Sequence, residues 1–244
     1  MDATAVARSL RASIGLLAME WLTAPSTFEK GVAAGLPAGM PAYAVGRWGV
    51  LGDVPVDDVV GAAFFWEPAT VRTLWNEGTA VVAPAEGARV WGRICAEWGE
   101  DRLGDFAVST RLGELLDPVV DGAAADNAPL FVGWRQQVTA PAGPGRTFQL
   151  AQAMRELRFS RHCVAVQAAG LTPLEAILAG PAPGSAAMFG WPEPYPDVTG
   201  LAGIREEIEG HTDRLHARDL AVLGPDERAE LRELAKAVRA HASG

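Results

Sequence analysis

The longest stretch without proline or an internal glycine spans residues 148–170. Its apolar residues recur at three- and four-residue steps, which places them on one stripe of an α-helix. The stripe consists of Leu150, Met154, Leu157, Val164 and Ala168. Gly170 suits the end of this helix, and Thr172, Pro173 and Glu175 then have the spacing of a capping box that begins a short second helix. We therefore predict a long central helix around which the rest of the chain packs.

Helical spacing of apolar residues recurs along most of the remaining chain. The first predicted helix, 2–23, has its stripe at Val6, Leu10, Ile14, Leu17 and Trp21. Further helices are predicted at 28–34, 41–48, 55–65, 67–76, 85–97, 104–120, 129–138, 203–223 and 225–241. Strand-like alternation of convincing length and hairpin turn signals are absent from the sequence. The predicted fold is all-α, a multi-helix bundle around the long central helix.

A segment rich in proline and glycine interrupts this pattern at residues 181–203. Five prolines prevent regular structure over any length. We predict a helical domain with a ligand pocket at 1–180, a linker or degenerate wing at 181–203, and a C-terminal helical pair at 204–244 that packs on the main domain.

Composition narrows the classes of function. The 244 residues carry a net charge of −9 with no run of basic residues, so DNA is not an expected partner. The two cysteines are far apart in the sequence and form neither a disulfide framework nor a zinc motif. No signal peptide or membrane-spanning run is evident. These features predict a cytoplasmic protein without a metal site.

A group of basic residues follows helical steps beside the central stripe. Arg155, Arg158 and His162 fall within an arc of roughly 60°, where they could bind a carboxylate, phosphate or phenolate. The alternative is a solvated helix face that includes Glu156. Arg161 lies inside the stripe, so a buried guanidinium there needs a partner unless it reaches the surface at a helix edge. The candidate partners are Glu20, Glu67, Glu175 or an anionic ligand.

Aromatic residues form a second group of candidates. The chain has eight tryptophans, and together with several phenylalanines they could line a pocket for a planar ligand. Phe65 and Trp66, which precede a helix-breaking proline, are the favoured pocket residues, and Trp134 is a further one. The alternative is an ordinary aromatic core. No standard nucleotide-binding, metalloprotease or hydrolase motif is present, so no cofactor is predicted.

Several motifs in order resemble the SalK-type family of actinobacterial helix-turn-helix proteins. They are Tyr43, Gly46, Arg47, Leu51 and Gly52; Trp66 with Pro68; Leu130, Phe131 and Arg135; Arg155, Glu156, Arg158 and His162; Ala169, Gly170, Leu171, Glu175 and Ala176; and Arg205, Ile208, Glu209 and Thr212 to Leu215. The resemblance implies a helical scaffold with a small-molecule pocket, encoded near genes of specialised metabolism. The family's Gly-Asp-Gly before the histidine is Phe159, Ser160 and Arg161 here. Residues 189–203 are too short and too rich in proline for a recognition helix.

The leading hypothesis is a protein that binds a hydrophobic or aromatic, partly anionic small molecule, such as an antibiotic or a biosynthetic intermediate. Its predicted ligand-binding residues are Arg47, Phe65, Trp66, Trp134, Arg155, Arg158, Arg161, His162 and Glu175. A second hypothesis is a cofactor-free cyclase or isomerase with His162 as an acid/base that titrates near neutrality and Arg161 stabilising negative charge. A transcriptional regulator is the third hypothesis. A homodimer is one alternative for the assembly of the protein.

Overall fold

A computed structural model describes residues 1–242, and within this range the chain is helical and contains no β-strand. The helices are α1 (Ala3–Leu10, Arg11–Gly15 and Leu16–Leu22), α2 (Pro25–Ala33), α3 (Met40–Tyr43 and Ala44–Trp48), α4 (Val56–Ala63), α5 (Pro68–Thr79), α6 (Pro84–Leu103), α7 (Ser109–Gly122), α8 (Pro129–Gln136), α9 (Pro144–Ala168), α10 (Pro173–Leu178), α11 (Ser185–Met188), α12 (Ala202–Asp219) and α13 (Pro225–Ala242). The predicted all-α fold is confirmed. The last two residues of the predicted C-terminal pair, 243–244, lie outside the described range.

The central helix, α9, is longer than predicted and ends where predicted. It begins at Pro144, since proline fits the first turn of a helix. Past its end, Gly170 adopts a φ of 74°, which few other residues tolerate. The capping box of α10 is confirmed: Thr172 Oγ1 accepts from the Glu175 amide at 3.2 Å, and Glu175 Oε2 accepts from the Thr172 amide at 2.8 Å.

Helix α9 packs against α1, α6, α7, α8 and α12, so it is buried on most of its sides. The predicted stripe is correct at Leu150, Met154 and Leu157, each at most 2% exposed. It is wrong at Val164, which is half-buried, and at Ala168, which is exposed. Over these last turns the cover comes from α10 and α12, which form a second apolar cluster with α9, and the buried face shifts accordingly.

In residues 1–242, two helices contain a π-helical turn, a rare feature that adds one residue to a turn and is frequent at functional sites. In α1 the turn spans Arg11–Gly15, and in α3 it spans Ala44–Trp48. The predicted core stripe of α1 is nevertheless fully buried: Val6, Leu10, Ile14, Leu17 and Trp21 are each at most 2% exposed.

Helices α6 and α7 differ from prediction at the connection between them. Helix α6 continues to Leu103 instead of ending near Glu97, and α7 begins at Ser109 instead of Gly104. The amide of Gly104 still bonds to a carbonyl of the last turn of α6, and the residues after it reverse the chain direction. A helix starting at Gly104 would have no space for this reversal.

The segment rich in proline and glycine is mostly irregular, as predicted, and it folds back over the start of α5. The Glu67 amide donates to the Phe189 carbonyl at 2.9 Å, and the Trp191 indole donates to the Phe65 carbonyl at 2.8 Å. The structure describes all of residues 179–201, and the longest helix in this range is α11, which has four residues. Among the described helices, none has the length and apolarity to cross a membrane.

Candidate ligand-binding site

A cavity of about 280 Å³ lies between α1, α3, the α4–α5 connection, α9 and the end of α11; we call it the inner cavity. Much of its wall is aromatic, provided by Tyr43, Phe65, Trp66, Phe159 and Phe189. The rings of this wall contact one another, with centroids 5.6 Å apart for Tyr43 and Trp66 and 5.2 Å apart for Trp66 and Phe189. A cavity of this kind suits a flat apolar group.

The polar part of the inner cavity is built on a buried ion pair. Arg47 donates from Nε to Glu156 Oε1 and from Nη2 to Oε2, both at 2.9 Å, and from Nη1 to the Tyr43 hydroxyl at 2.9 Å. The side chains of Arg47 and Glu156 are 2% and 0% exposed. The two hydrogen bonds from Arg47 to Glu156 and the third to Tyr43 offset the cost of removing these charges from water.

A second guanidinium shares the same carboxylate. Arg155 donates from Nη1 to Glu156 Oε1 at 2.6 Å, an oxygen that also accepts from Arg47 and Gln152. Its Nη2 lies 3.0 Å from Met19 Sδ, which is a weak acceptor. Two guanidinium groups therefore face one carboxylate beside an apolar cavity, and one positive charge stays without a counter-charge.

The pKa shifts agree with this charge count. Burial alone would raise the pKa of Glu156, but Arg47 and Arg155 outweigh it and hold that pKa below its ordinary value. Burial opposes the charge on Arg47, yet Glu156 and Tyr43 raise the pKa of that guanidinium. Burial lowers the pKa of Arg155, and Glu156 counteracts the effect in part. Arginine keeps its charge at neutral pH, so the excess charge is located at Arg155.

A second cavity of about 230 Å³ adjoins the first, and we call it the outer cavity. The two cavities share Met19, Arg155 and Phe159 as wall residues. The outer cavity is also lined by the π-helical turn of α1 and by ionisable side chains, namely Arg11, Arg158, His162, Glu209 and His216. Met19 and Leu16 are 40% and 50% exposed, so apolar side chains lie at the surface beside it.

An ion-pair network connects α1, α9 and α12 behind the outer cavity. Its pairs are Arg11–Glu209 at 2.8 Å, Arg158–Glu209 at 3.2 Å, Arg205–Glu209 at 3.1 Å, Arg8–Asp213 at 3.1 Å and Arg158–Asp213 at 2.9 Å. Four arginines thus share two carboxylates. The network carries excess positive charge although the chain as a whole is strongly acidic.

His162 lies between the aromatic wall and this network. Its Nδ1 is 2.9 Å from the Thr212 hydroxyl, and its ring is 5.7 Å from that of Phe65. Burial and the nearby arginines, despite the opposing charge of Glu209, lower the pKa of His162 to about 4. This pKa disagrees with the expected titration near neutrality: at pH 7 the imidazole is neutral, so the acidic imidazolium form is scarcely populated and the ring is a weaker base than a free histidine.

The depressed pKa makes stability depend on pH. Because the unfolded chain has a His162 pKa near 6.5 and the folded chain about 4, the unfolded state binds more protons between these values. We expect the free energy of unfolding to fall by about 1.5 kcal/mol from pH 6.5 to pH 5 through His162 alone. Burial also lowers the pKa of His216, which acts in the same direction. Urea unfolding at both pH values measures the change.

His162→Gln provides the control for this pH dependence. The variant should retain the part of the decrease due to His216 and lose the part due to His162. An unchanged pH dependence in the variant would contradict the assignment to His162. Buried carboxylates lose their contribution mainly below pH 5, so they interfere little in this range.

Arg161 is buried, but its partner is not one of those predicted. Its Nε and Nη2 donate to Asp219 at 3.1 and 2.8 Å, and its terminal nitrogens donate to the carbonyls of Ala124 and Asp126 at 2.9 and 3.3 Å. The predicted partners have other contacts: Glu20 pairs with Arg239, Glu67 caps α5 and Glu175 caps α10. Arg161 therefore connects α9 to α12 and the α7–α8 loop, and it does not line either cavity.

Two other predicted site residues lie away from the cavities. Trp134 is 0% exposed, because its ring packs against Trp21 and its indole donates to the Arg47 carbonyl at 3.2 Å. Glu175 belongs to the capping box of α10. The structure does bring together Arg47, Phe65, Trp66, Arg155, Arg158 and His162 around the two cavities.

Glu156 and Glu209, the carboxylates at the two cavities, were not among the predicted site residues. Glu156 was considered only in the alternative of a solvated helix face and in the family resemblance, and Glu209 only in the family resemblance. A signal for Glu156 was present: a helix with apolar residues on most sides is buried, and the charges on it then need partners. Tyr43 and Arg47 are four residues apart in the helix predicted at 41–48, so they lie on one helix face, where a hydrogen bond joins them. Within residues 1–242 no three His, Cys, Asp or Glu side chains are grouped to hold a metal ion.

Fold and site together define an all-α protein with an aromatic cavity and excess positive charge in its wall. Residues 7–197 match the profile of a helix-turn-helix family, and the chain belongs to that family. Comparison with curated proteins and with solved structures found no match. The matched region contains the inner cavity and most of the outer one, whereas Glu209 and His216 come from α12, beyond it.

Proposed function

We propose that this is a cytoplasmic small-molecule-binding protein whose ligand has an apolar or aromatic body and an anionic group. The single observation that carries the proposal is the uncompensated charge of Arg155 in the wall of the apolar inner cavity. An anionic group beside Arg155 would supply the missing counter-charge, and the aromatic wall would cover the body. The resemblance to SalK-type proteins suggests a ligand from specialised metabolism.

The family's helix-turn-helix description raises DNA as an alternative ligand, and the charge distribution supports the small molecule instead. Residues 163–204 contain no lysine or arginine and three acidic residues. The helix directly before residues 189–203, where the family resemblance places a recognition helix, is α11, and its sequence is Ser-Ala-Ala-Met. Recognition helices need side chains that reach bases and phosphates, and α11 offers none that is charged. A transcriptional regulator would therefore need another DNA-binding surface.

Catalysis by His162 has less support than binding. A general acid or base works best with a pKa near the working pH, and the pKa of His162 is about 4. No other observation at the two cavities favours a reaction, so binding is the function that we propose.

The test is titration with 1-naphthoate and with the neutral analogue 1-naphthamide, followed by calorimetry and tryptophan fluorescence. We expect naphthoate to bind more tightly and to change the fluorescence, since Trp66 lines the inner cavity. Arg155→Gln should weaken naphthoate binding by roughly tenfold, as expected for a lost hydrogen bond between charged groups, and leave naphthamide nearly unaffected.

Arg89→Gln is the matched control, because Arg89 pairs with Glu86 on the exposed surface of α6, away from both cavities. It removes the same charge and should leave both affinities unchanged. Equal affinity for naphthoate and naphthamide, or a loss of naphthoate binding in the Arg89 variant as large as in the Arg155 variant, would refute the proposal.

A further inference from the structure

The outer cavity has more positive charge than a single carboxylate ligand would balance. Three arginines, Arg11, Arg155 and Arg158, line it together with one carboxylate, Glu209. The two histidines in its wall add little charge, because their pKa values are lowered by burial. The arginines approach from two sides, Arg11 from the π-helical turn of α1 and the other two from α9.

The polar atoms behind this cavity are not all satisfied. Arg158 Nη1 and Asp213 Oδ1 are 2.9 Å apart, yet both are buried and neither forms a hydrogen bond of good geometry. The Arg158 side chain is 12% exposed. Asp213 and Glu209 nevertheless hold the Arg158 guanidinium by ion pairs, so its position in the wall of the outer cavity is fixed before an anion binds.

The outer and inner cavities share part of their walls. Arg155 and Phe159 belong to both, and the Phe159 ring lies 4.9 Å from the Arg47 guanidinium carbon and 5.8 Å from the Phe65 ring. A ligand with its apolar body against the inner aromatic wall would therefore place an attached charged group beside Arg155, within reach of the outer cavity.

We propose that the outer cavity binds the phosphate group of an organic phosphate monoester whose apolar body occupies the inner cavity. This assignment rests on the proposed function and names the chemistry of its anionic group. A phosphate monoester carries a charge of about −1.5 to −2 at pH 7 and has three terminal oxygens, which matches arginines that converge from two helices. A carboxylate has two oxygens and one charge, and a single arginine can bind both.

The experiment compares 1-naphthyl phosphate with 1-naphthyl sulfate, which has a similar shape but only one negative charge. Calorimetry at pH 7.5 and fixed salt concentration should show the phosphate binding about tenfold more tightly or better, since charged hydrogen bonds are strong in such sites. Arg11→Gln should weaken phosphate binding by roughly tenfold and reduce the ratio of the two affinities. The Arg11 side chain is 53% exposed, so the variant should fold.

Arg158→Gln should have the larger effect on phosphate binding, and circular dichroism would verify its fold because Asp213 loses a partner. Arg89→Gln should change neither affinity. Equal affinities for the two esters in the unmodified protein, or a ratio unchanged by Arg11→Gln, would overturn the phosphate assignment. Naphthoate binding that depends on Arg155 would then still support the proposed function.

If no naphthyl compound binds, the proposed function fails. Titration with inorganic pyrophosphate then tests anion binding in the outer cavity by itself. Pyrophosphate binding that is weakened by Arg11→Gln would still support an anion site in the outer cavity, and absence of binding would overturn that site as well.

Discussion

Replacing Glu156 with glutamine is expected to lower the free energy of unfolding by about 3 to 5 kcal/mol, the range for breaking a buried ion pair by removing one partner. Arg47 is 2% exposed and Arg155 only 13%, so both would lose their counter-charge while remaining in the protein interior. The shape of the side chain is nearly preserved, which isolates the loss of charge. Urea unfolding measured by circular dichroism gives the free energy.

Glu29→Gln is the matched control, because Glu29 is an exposed residue of α2. Its change should stay within about 0.5 kcal/mol, as is usual for surface substitutions. The double variant Arg47→Met with Glu156→Leu should recover part of the lost stability, since it leaves one fewer buried cation. A single Glu156 variant as stable as the control would contradict the charge count at this site.

Gly46→Ala is expected to destabilise the protein by about 3 kcal/mol, near the upper end of the usual cost of overpacking. A Cβ at this position would lie 2.5 Å from Cγ and 2.8 Å from Cε3 of the Trp91 ring. That ring is 0% exposed and is held by Trp21 and Phe28, whose centroids are 5.8 and 5.9 Å away, so it has no space into which to move.

Gly61→Ala is the control for Gly46→Ala. Gly61 lies within α4, and a Cβ there would meet no atom within 4 Å. Alanine favours the helix over glycine by roughly 0.5 to 1 kcal/mol, so this variant should be slightly more stable than the unmodified protein. Thermal unfolding measures the stability of both variants. Equal stabilities of Gly46→Ala and Gly61→Ala would contradict the packing argument.

Local spacing was sufficient to predict much of the fold. The α1 stripe from Val6 to Trp21 and the capping box at Thr172 depend on residues at most four positions apart, and both are confirmed. The end of the α9 stripe was predicted wrongly, because the residues that cover it belong to α10 and α12. Which element covers a helix is a tertiary property, and the spacing along one helix does not contain it.

The candidate site was harder to predict, since its charges pair across long separations in the sequence. Arg47 and Glu156 are 109 residues apart, and Arg161 and Asp219 are 58 apart. Spacing located the basic residues of α9 but could not assign their acceptors. It also could not separate Trp134, which packs in the core behind Arg47, from Trp66, which lines the inner cavity.

Each π-helical turn holds one residue more than the α-helical turn it replaces. Removing a residue from Arg11–Gly15 would rotate the preceding part of α1 by about 100° about its axis, and Val6 and Leu10 would leave the core. Relatives that lack this residue therefore cannot combine the same α1 core face with the same outer cavity. One-residue gaps at 11–15 or 44–48 in an alignment would divide the family into branches with differently shaped sites before any ligand is identified.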